Sequence, residues 1–188
     1  QNPIQYKKYS YNCSSEEHIF NGVSVHCYNR KQHGEQDLES ALANSCNQAY
    51  ADIGTELDVD KWRDTLEEFM FNKSLPYTDA SATSRFYLDG ESNKGYIPQT
   101  AFGQGDTLIS PLHNAMIIAT IANGGLMMKP YMIDHVENSA GNTIKSFSPS
   151  AYGKLMSEQE AEALQGLMKD VVEEGTASRL KGLSYTAA

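Results

Sequence analysis

The chain has 188 residues and a net charge of −9, from 15 lysines and arginines against 24 aspartates and glutamates. That balance argues against a nucleic-acid partner, because binding phosphates requires a basic surface. The length is enough for one domain with a sizeable core, and it also fits a piece of a larger protein.

The first part of the chain predicts short strands followed by two helices. Residues 1–34 mix polar residues with short apolar pieces, which predicts loops and one small hairpin from Ile19-Phe20 and Val23-Ser24-Val25. A helix is expected from Glu35 to about Ala43. A second helix begins around Asn47, with an inner face formed by Ala49, Tyr50, Ile53 and Leu57.

A third helix is predicted from about Asp60 to Phe71. Apolar residues recur there at helical spacing behind the acidic N-cap candidates Asp58 and Asp60. Trp62 is expected in the core. The residues between Asn72 and Thr100 are rich in Ser, Thr, Asp, Gly, Asn and Pro, so this segment predicts a long surface connection.

The clearest helix lies between Gly103 and Gly125. Ser110 is a good N-cap, Pro111 suits the first helical position, and the glycines at 124 and 125 end the helix. Its apolar residues cover most of the circumference, which predicts burial on nearly all sides. The longest apolar run, Ala115 to Ala122, is far shorter than the ~20 residues of a membrane span.

The C-terminal third predicts a hairpin and one long helix. Residues 127–136 and 143–147 are expected to be extended, with a turn over 137–142. Ser157 to Glu160 forms a capping box, and an amphipathic stripe continues to Glu174 before Gly175 ends the helix.

Cysteines and histidines give no metal-site pattern along the chain. Cys13, Cys27 and Cys46 match no zinc spacing, and the five histidines are scattered, so we predict no metal and no cofactor. A disulfide between Cys13 and Cys27 and a pair of free thiols both remain open. His113 and His33 are expected to make structural hydrogen bonds, whereas the remaining three are expected at the surface: His18, His26 and His135.

Ser45 and Asn47 are two residues apart, on the predicted turn between the first two helices. On a turn, both side chains can face one cavity, which a regular helix would not allow. Taken alone the pattern is weak, because Ser and Asn favour turns for local hydrogen bonding. Cys46 between them is expected to point into the helical layer as a small hydrophobe.

Three stretches together resemble the transpeptidase domain of bacterial penicillin-binding proteins: HGEQDLESALANSCNQAYADIGTEL (33–57), GQGDTLISPLHNAMIIATIANGG (103–125) and VEEGT (172–176). The resemblance spans nearly all of the chain. Enzymes of this family use Ser-x-x-Lys, Ser-x-Asn and Lys-Thr-Gly motifs for acyl transfer through a serine acyl-enzyme. By resemblance, Ser45 relays a proton and Asn47 hydrogen-bonds the amide carbonyl of the substrate.

Only the middle motif of the three is present. Ser178 to Lys181 satisfies Ser-x-x-Lys literally, but it follows Ser45 and lies outside any apolar helix, so chance explains it better. The chain starts at Gln1 without a methionine or leader, which indicates an excised segment that begins after the nucleophile and ends before Lys-Thr-Gly.

The resemblance therefore implies one partial transpeptidase domain over residues 1–188. Its expected fold is mainly α with a small β-hairpin: the helical subdomain of the α/β transpeptidase fold, with the central sheet largely missing. The parent would be a class B-like D,D-transpeptidase that cross-links peptidoglycan, while the fragment itself would be inactive. A β-lactam sensor, a serine β-lactamase relative and a non-enzymatic helical assembly module remain alternatives.

The resemblance also implies partners and a location. Peptidoglycan stem peptides and β-lactams would bind the parent, which would be anchored at the extracytoplasmic face of the bacterial membrane. The remaining parts of the transpeptidase domain would pack against this chain. Without them, an exposed apolar face is expected to favour self-association.

Overall fold

The computed structural model describes residues 6–77 and 79–188. These residues form a mixed α/β structure with six helices and four two-stranded sheets, two more strand pairs than the two predicted hairpins, so the expectation of a mainly α fold holds only in part. The six helices are α1 (Leu38–Ala43), α2 (Asn47–Glu56), α3 (Val59–Glu68), α4 (Tyr96–Ala101), α5 (Pro111–Ala122) and α6 (Glu158–Glu173).

The strands of the described residues form four two-stranded antiparallel sheets, ordered β1-β4, β2-β3, β5-β8 and β6-β7. Each strand has only three or four residues. Their bounds are β1 (Tyr11–Cys13), β2 (His18–Phe20), β3 (Val23–Val25), β4 (Gly34–Gln36), β5 (Leu126–Met128), β6 (His135–Glu137), β7 (Thr143–Ser146) and β8 (Ala151–Lys154).

The predicted N-terminal hairpin is confirmed as β2 and β3. Asn21 and Gly22 connect them with φ values of 48° and 82°, as a two-residue type I′ turn requires. The structure adds a second pair, because β4 returns to lie beside β1 with Tyr11 opposite Gln36. The part of the predicted loops over residues 1–5 lies outside the described residues.

The first three helices are close to their predicted positions. The first begins at Leu38, later than predicted, because Glu35 belongs to β4 and Asp37 caps the helix by accepting from the Ser40 N–H at 2.8 Å. Asp58 caps α3. Trp62 is half-buried, with its ring 5.2 Å from that of Phe86.

The segment from Asn72 to Thr100 is not the surface connection that its composition predicts. Phe86 and Leu88 are buried in it, and its last residues enter α4. The Asn72 carboxamide holds the backbone of Phe86 through two hydrogen bonds of 2.9 and 3.0 Å. Specific side-chain contacts, rather than local propensity, therefore fold this segment onto the core.

The predicted bounds and caps of α5 are confirmed, whereas its predicted burial on nearly all sides was wrong. Ser110 accepts from the His113 N–H at 3.2 Å, and Gly124 and Gly125 have positive φ. Only one side of the helix is buried, with His113, Met116, Thr120 and Ile121. The other side is exposed and apolar, consisting of Ala115, Ile118, Ala119 and Ala122.

The predicted C-terminal hairpin is confirmed as β6 and β7, and the Ser157–Glu160 capping box is present at the start of α6. The pairing of β5 with β8 was missed, because the two strands are distant in the sequence. All residues from 131 to 150 are exposed. No helix in residues 6–77 and 79–188 has the length and apolar character needed to cross a bilayer.

Two close helix contacts position the turn between α1 and α2. Helix α4 packs against α2 at Gly54, where a β-carbon would meet the Ala101 side chain at 2.4 Å. The end of α6 packs against α1, and the Thr176 N–H donates to the Ala43 carbonyl at 3.0 Å. Both ends of this turn are thus tied to helices from distant parts of the chain.

Candidate active-site turn and its sulfur cluster

The turn from Ser45 to Asn47 closes α1 and opens α2 within three residues. The Cys46 N–H donates to the Ala41 carbonyl at 2.9 Å, and the Ser45 N–H donates to the Leu42 carbonyl at 3.0 Å. This pair of bonds is a Schellman motif, which satisfies carbonyls at the end of a helix. Cys46 is also the N-cap residue of α2, so both helices fix its backbone.

Ser45 occupies the left-handed position of this motif, with φ at 52°. Glycine is the usual residue there, because a β-carbon costs about 1–2 kcal/mol in this conformation. The Ser45 side chain is exposed, and no described residue hydrogen-bonds its hydroxyl. Backbone strain of this kind is common at functional sites, so the turn is a candidate site.

Cys46 is fully buried, as predicted, in a small cluster with Ala41, Ala49, Cys13 and Cys27. Asn47 is half-buried and begins α2. Its Nδ2 donates to the His26 carbonyl at 3.1 Å, which leaves one N–H of the carboxamide able to donate to a ligand.

Asn47 lines an open cleft at the start of α2, and Ser45 does not. The other lining residues belong to the loop after β3: His26, Cys27, Tyr28, Asn29 and Arg30. The structure thus places Ser45 and Asn47 on one turn but brings only Asn47 into this cleft. Gly105, in the loop between α4 and α5, has a φ of 80° and lines a different pocket, which contains neither residue.

Beneath the turn lies a cluster of sulfur atoms that the linear sequence does not predict. Cys27 Sγ lies 3.6 Å from Cys13 Sγ and 3.7 Å from Cys46 Sγ, and His33 Nδ1 lies 3.5 Å from Cys13 Sγ. All three cysteines are free thiols in the structure, which is one of the two states that the sequence left open for Cys13 and Cys27. No spacing along the chain signals this cluster, because four separate segments contribute to it.

The cluster favours one thiolate. A hydrogen bond from Cys46 lowers the pKa of the Cys27 thiol, and the same bond raises the pKa of Cys46. Backbone N–H groups of Gln48 and Asn47, at the start of α2, also lower the pKa of Cys27. Burial raises the pKa of Cys13. The environment at Cys27 therefore stabilises a negatively charged sulfur.

The remaining histidines have mostly structural roles. His113 is fully buried, and its Nε2–H donates to the Phe69 carbonyl, as predicted for a structural bond. Burial lowers its pKa, so the imidazole is neutral at physiological pH. His26 and His135 are exposed, as predicted. His18 is not a free surface residue, because it is half-buried and hydrogen-bonds Ser14 Oγ at 3.0 Å.

The Ser178 to Lys181 match is not an active-site pair. The short 3₁₀ helix ends at Leu180, and the Lys181 ammonium donates to the Glu173 carbonyl at 2.9 Å and pairs with its carboxylate at 3.2 Å. A lysine held in this way does not act as the base for Ser178. This geometry agrees with the interpretation of the match as chance.

Comparisons with known proteins agree on one family. The family described as "Penicillin binding protein transpeptidase domain" matches residues 5–188. The chain is 30% identical over 134 residues to peptidoglycan D,D-transpeptidase PbpA of Mycolicibacterium smegmatis, a match that covers 70% of this chain and 26% of that protein. It is 27% identical over 158 residues to stage V sporulation protein D of Bacillus subtilis, covering 82% and 24%.

Solved structures show the same fold. The D,D-transpeptidase domain of a peptidoglycan glycosyltransferase from Eggerthella lenta matches with a TM-score of 0.80 and 22% identity, over 96% of this chain and 46% of that one. The imipenem acyl-enzyme complex of penicillin-binding protein A from M. tuberculosis matches with a TM-score of 0.80 and 23% identity, over 93% and 41%. The chain thus spans about a quarter of these curated relatives and under half of these solved chains.

Proposed function

Because the chain belongs to the penicillin-binding protein transpeptidase family and is related to the class B members, we propose that it supplies the Ser-x-Asn part of a peptidoglycan D,D-transpeptidase site. The observation that carries this proposal is Ser45 itself: an exposed serine in a left-handed position that favours glycine, two residues before a half-buried Asn47 at the edge of a cleft. A purely structural turn would gain from glycine at residue 45.

Ser45 acts in this proposal as a proton relay. A hydroxyl can accept one proton while it donates another, so it can pass a proton between a lysine of the whole site and the amine that leaves or attacks. Asn47 uses its remaining carboxamide N–H to hold the amide carbonyl of the stem peptide, or the equivalent carbonyl of a β-lactam. A carboxamide does this without changing charge.

The 188-residue chain by itself is proposed to be inactive. Its one Ser-x-x-Lys sequence is the Ser178 to Lys181 match, whose lysine is paired with Glu173. Acyl transfer needs a nucleophile, a base and an oxyanion site, and Ser45 with Asn47 provides only a relay and an orienting group. Fluorescent penicillin should therefore label no residue of this chain alone, and mapped labelling of Ser45 or Ser178 would refute the proposal.

The rest of the transpeptidase domain is the proposed partner of the exposed side of α5. That side is apolar, with Ile118 43% exposed, and the chain spans 46% of the matching Eggerthella lenta domain. Alone in solution, the same side would cause self-association. Stem peptides and β-lactams are the proposed ligands of the whole protein, whose proposed location is the extracytoplasmic face of the bacterial membrane.

The roles of Ser45 and Asn47 can be tested by substitution in the protein that the natural gene encodes. We expect Ser45→Ala to slow acylation by labelled penicillin about 10²–10⁴-fold, the usual contribution of a positioned proton-transfer group. Asn47→Ala should cost about 10²–10³-fold, as for one lost hydrogen-bond donor to the reacting group.

The matched controls are Ser74→Ala and Asn114→Ala, which change the same residue types at exposed positions and should leave acylation unchanged. Acylation of Ser45→Ala at the rate of the unmodified protein would contradict the relay role. Sustained turnover of the β-lactam, with no cross-linking of stem peptides, would instead indicate a β-lactamase relative.

A further inference from the structure

The sulfur cluster beneath the active-site turn has the composition of a metal site. Cys13 Sγ, Cys27 Sγ, Cys46 Sγ and His33 Nδ1 all lie within 4.8 Å of one another. Three thiolates and one imidazole form one of the common ligand sets of structural zinc sites in proteins.

The distances between these atoms fit a tetrahedral ion. With Zn–S bonds of about 2.3 Å and Zn–N bonds of about 2.0–2.1 Å, tetrahedral geometry separates two sulfurs by about 3.8 Å and a sulfur from a nitrogen by about 3.6 Å. The corresponding distances are 3.6 Å for Cys13 and Cys27, 3.7 Å for Cys27 and Cys46, and 3.5 Å for Cys13 and His33. A metal ion could therefore bind with only small side-chain movements.

The ligands come from four separate segments, each with its own backbone support. Cys13 ends β1, Cys27 follows β3, and Cys46 is held between α1 and α2. His33 precedes β4, where its carbonyl accepts from the buried Gln36 side chain at 3.1 Å. These contacts fix the backbone position of each ligand residue.

A disulfide and simple hydrophobic packing each account for less of this cluster than a metal site does. A disulfide joins only two of the cysteines, so it would not account for the third thiol or for the imidazole beside them. Packing as small hydrophobes would explain three buried thiols, but it does not explain an imidazole nitrogen that lies 3.5 Å from one of the sulfurs.

We propose that Cys13, Cys27, Cys46 and His33 Nδ1 bind one zinc ion, and that this ion fixes the Ser45–Asn47 turn. Each of the three thiols loses its proton to solvent as its bond to zinc forms, and the imidazole binds in its neutral form. The four protein ligands leave no open position, so the ion is structural and takes no part in the reaction.

The site gives the turn a support that hydrogen bonds alone do not provide. Cys46 lies between the two predicted active-site residues, and zinc would join it to β1, which ends at Cys13, and to the loop after β3, which contains Cys27. Metal binding of this kind contributes directly to the free energy of folding. The binding itself does not depend on the proposed transpeptidase role, because it rests only on the four ligands.

The direct test measures metal in the unmodified chain. The chain, expressed with zinc in the medium and purified under reducing conditions, should retain one zinc ion per molecule by elemental analysis. X-ray absorption at the zinc edge should show three sulfurs at about 2.3 Å and one nitrogen at about 2.0–2.1 Å. Cobalt(II) loaded into the reduced, metal-free chain should give the absorption bands of a tetrahedral thiolate site.

Variants then test the ligand set. Cys46→Ser and His33→Asn should each weaken zinc affinity by at least about 100-fold, because loss of an outer contact alone costs about 10–100-fold. The control is His26→Asn, which changes an exposed histidine next to Cys27 that is not a ligand and should leave affinity unchanged. A chelator should lower the melting temperature of the unmodified chain, and zinc but not magnesium should restore it.

Three results would overturn the proposal: a reduced chain that retains no zinc and gives no tetrahedral cobalt spectrum, a disulfide between Cys13 and Cys27 that forms in zinc-containing buffer, or an absorption spectrum without sulfur ligands. None of these measurements uses penicillin. Failure of zinc binding is therefore distinguishable from failure of the proposed transpeptidase role.

Discussion

Gly175 offers the sharpest test of how the fold holds the turn from Ser45 to Asn47. A β-carbon built on this residue would lie 2.3 Å from the Ala43 carbonyl oxygen and 2.8 Å from both its carbonyl carbon and Cα. All three atoms belong to the backbone of α1, two residues before Ser45, so no flexible side chain can move aside. Gly175→Ala must separate the end of α6 from the end of α1.

The expected cost follows from two contributions. Overpacking a tight contact costs about 1–3 kcal/mol, and loss of the hydrogen bond from the Thr176 N–H to the Ala43 carbonyl costs about 0.5–1.5 kcal/mol. Together they predict that Gly175→Ala lowers the free energy of unfolding by about 1.5–4.5 kcal/mol. For a chain of this size, the melting temperature should fall by roughly 3–18 °C.

Gly166→Ala is the matched control, because it makes the same change inside α6 where a β-carbon would meet nothing within 4 Å. It should raise stability by about 0.5–1 kcal/mol through better helix propensity. Urea denaturation followed by the fluorescence of Trp62, the single tryptophan, measures both variants. If Gly175→Ala proved as stable as the unmodified chain, the close approach of α6 to the turn would be refuted.

Five further substitutions test four separate parts of the structure. Ser45→Gly should keep or raise stability by up to about 1 kcal/mol, because it removes left-handed strain, whereas Ser45→Val should lose about 1–3 kcal/mol. Ser157→Ala should cost about 1 kcal/mol by removing the cap of α6. Stability should fall as the pH drops below 6.5, the ordinary pKa of histidine, because the unfolded chain then binds a proton that buried His113 does not; His113→Gln should reduce this pH dependence. Ile118→Gln, on the exposed side of α5, should shift the chain toward monomer in analytical ultracentrifugation.

Each of these predictions has a result that contradicts it. Equal losses for Ser45→Gly and Ser45→Val would exclude the left-handed backbone at this residue. A neutral Ser157→Ala would show that the capping box adds nothing to α6. An unchanged pH dependence in His113→Gln would assign the titration to other groups, and unchanged association of Ile118→Gln would place the contact elsewhere.

Local signals in the sequence determined most of the helices. Caps such as Ser110 and Ser157, and the recurrence of apolar residues behind them, depend on hydrogen bonds and spacing within a few residues. The same is true of the Asn21-Gly22 hairpin turn. The order of motifs around Ser45 and Asn47 also indicated the family, because it needs no knowledge of long-range contacts.

Only the tertiary structure decided which faces are covered. The composition of residues 72–100 predicted a surface loop, yet Phe86 and Leu88 are buried in the core. The contacts that bury them cannot be predicted from local sequence. The apolar side of α5 is the opposite case, since periodicity measures the hydrophobicity of a face but not whether a neighbour covers it.

The sulfur cluster shows the same limit at the site itself. Cys13, Cys27, His33 and Cys46 have no metal-binding pattern in one dimension, because two small sheets and a helix turn bring them together. Sequence alone could therefore predict the turn that carries Ser45 and Asn47, since a turn is local. What lies beneath that turn depends on pairing between distant segments, and only the folded chain specifies it.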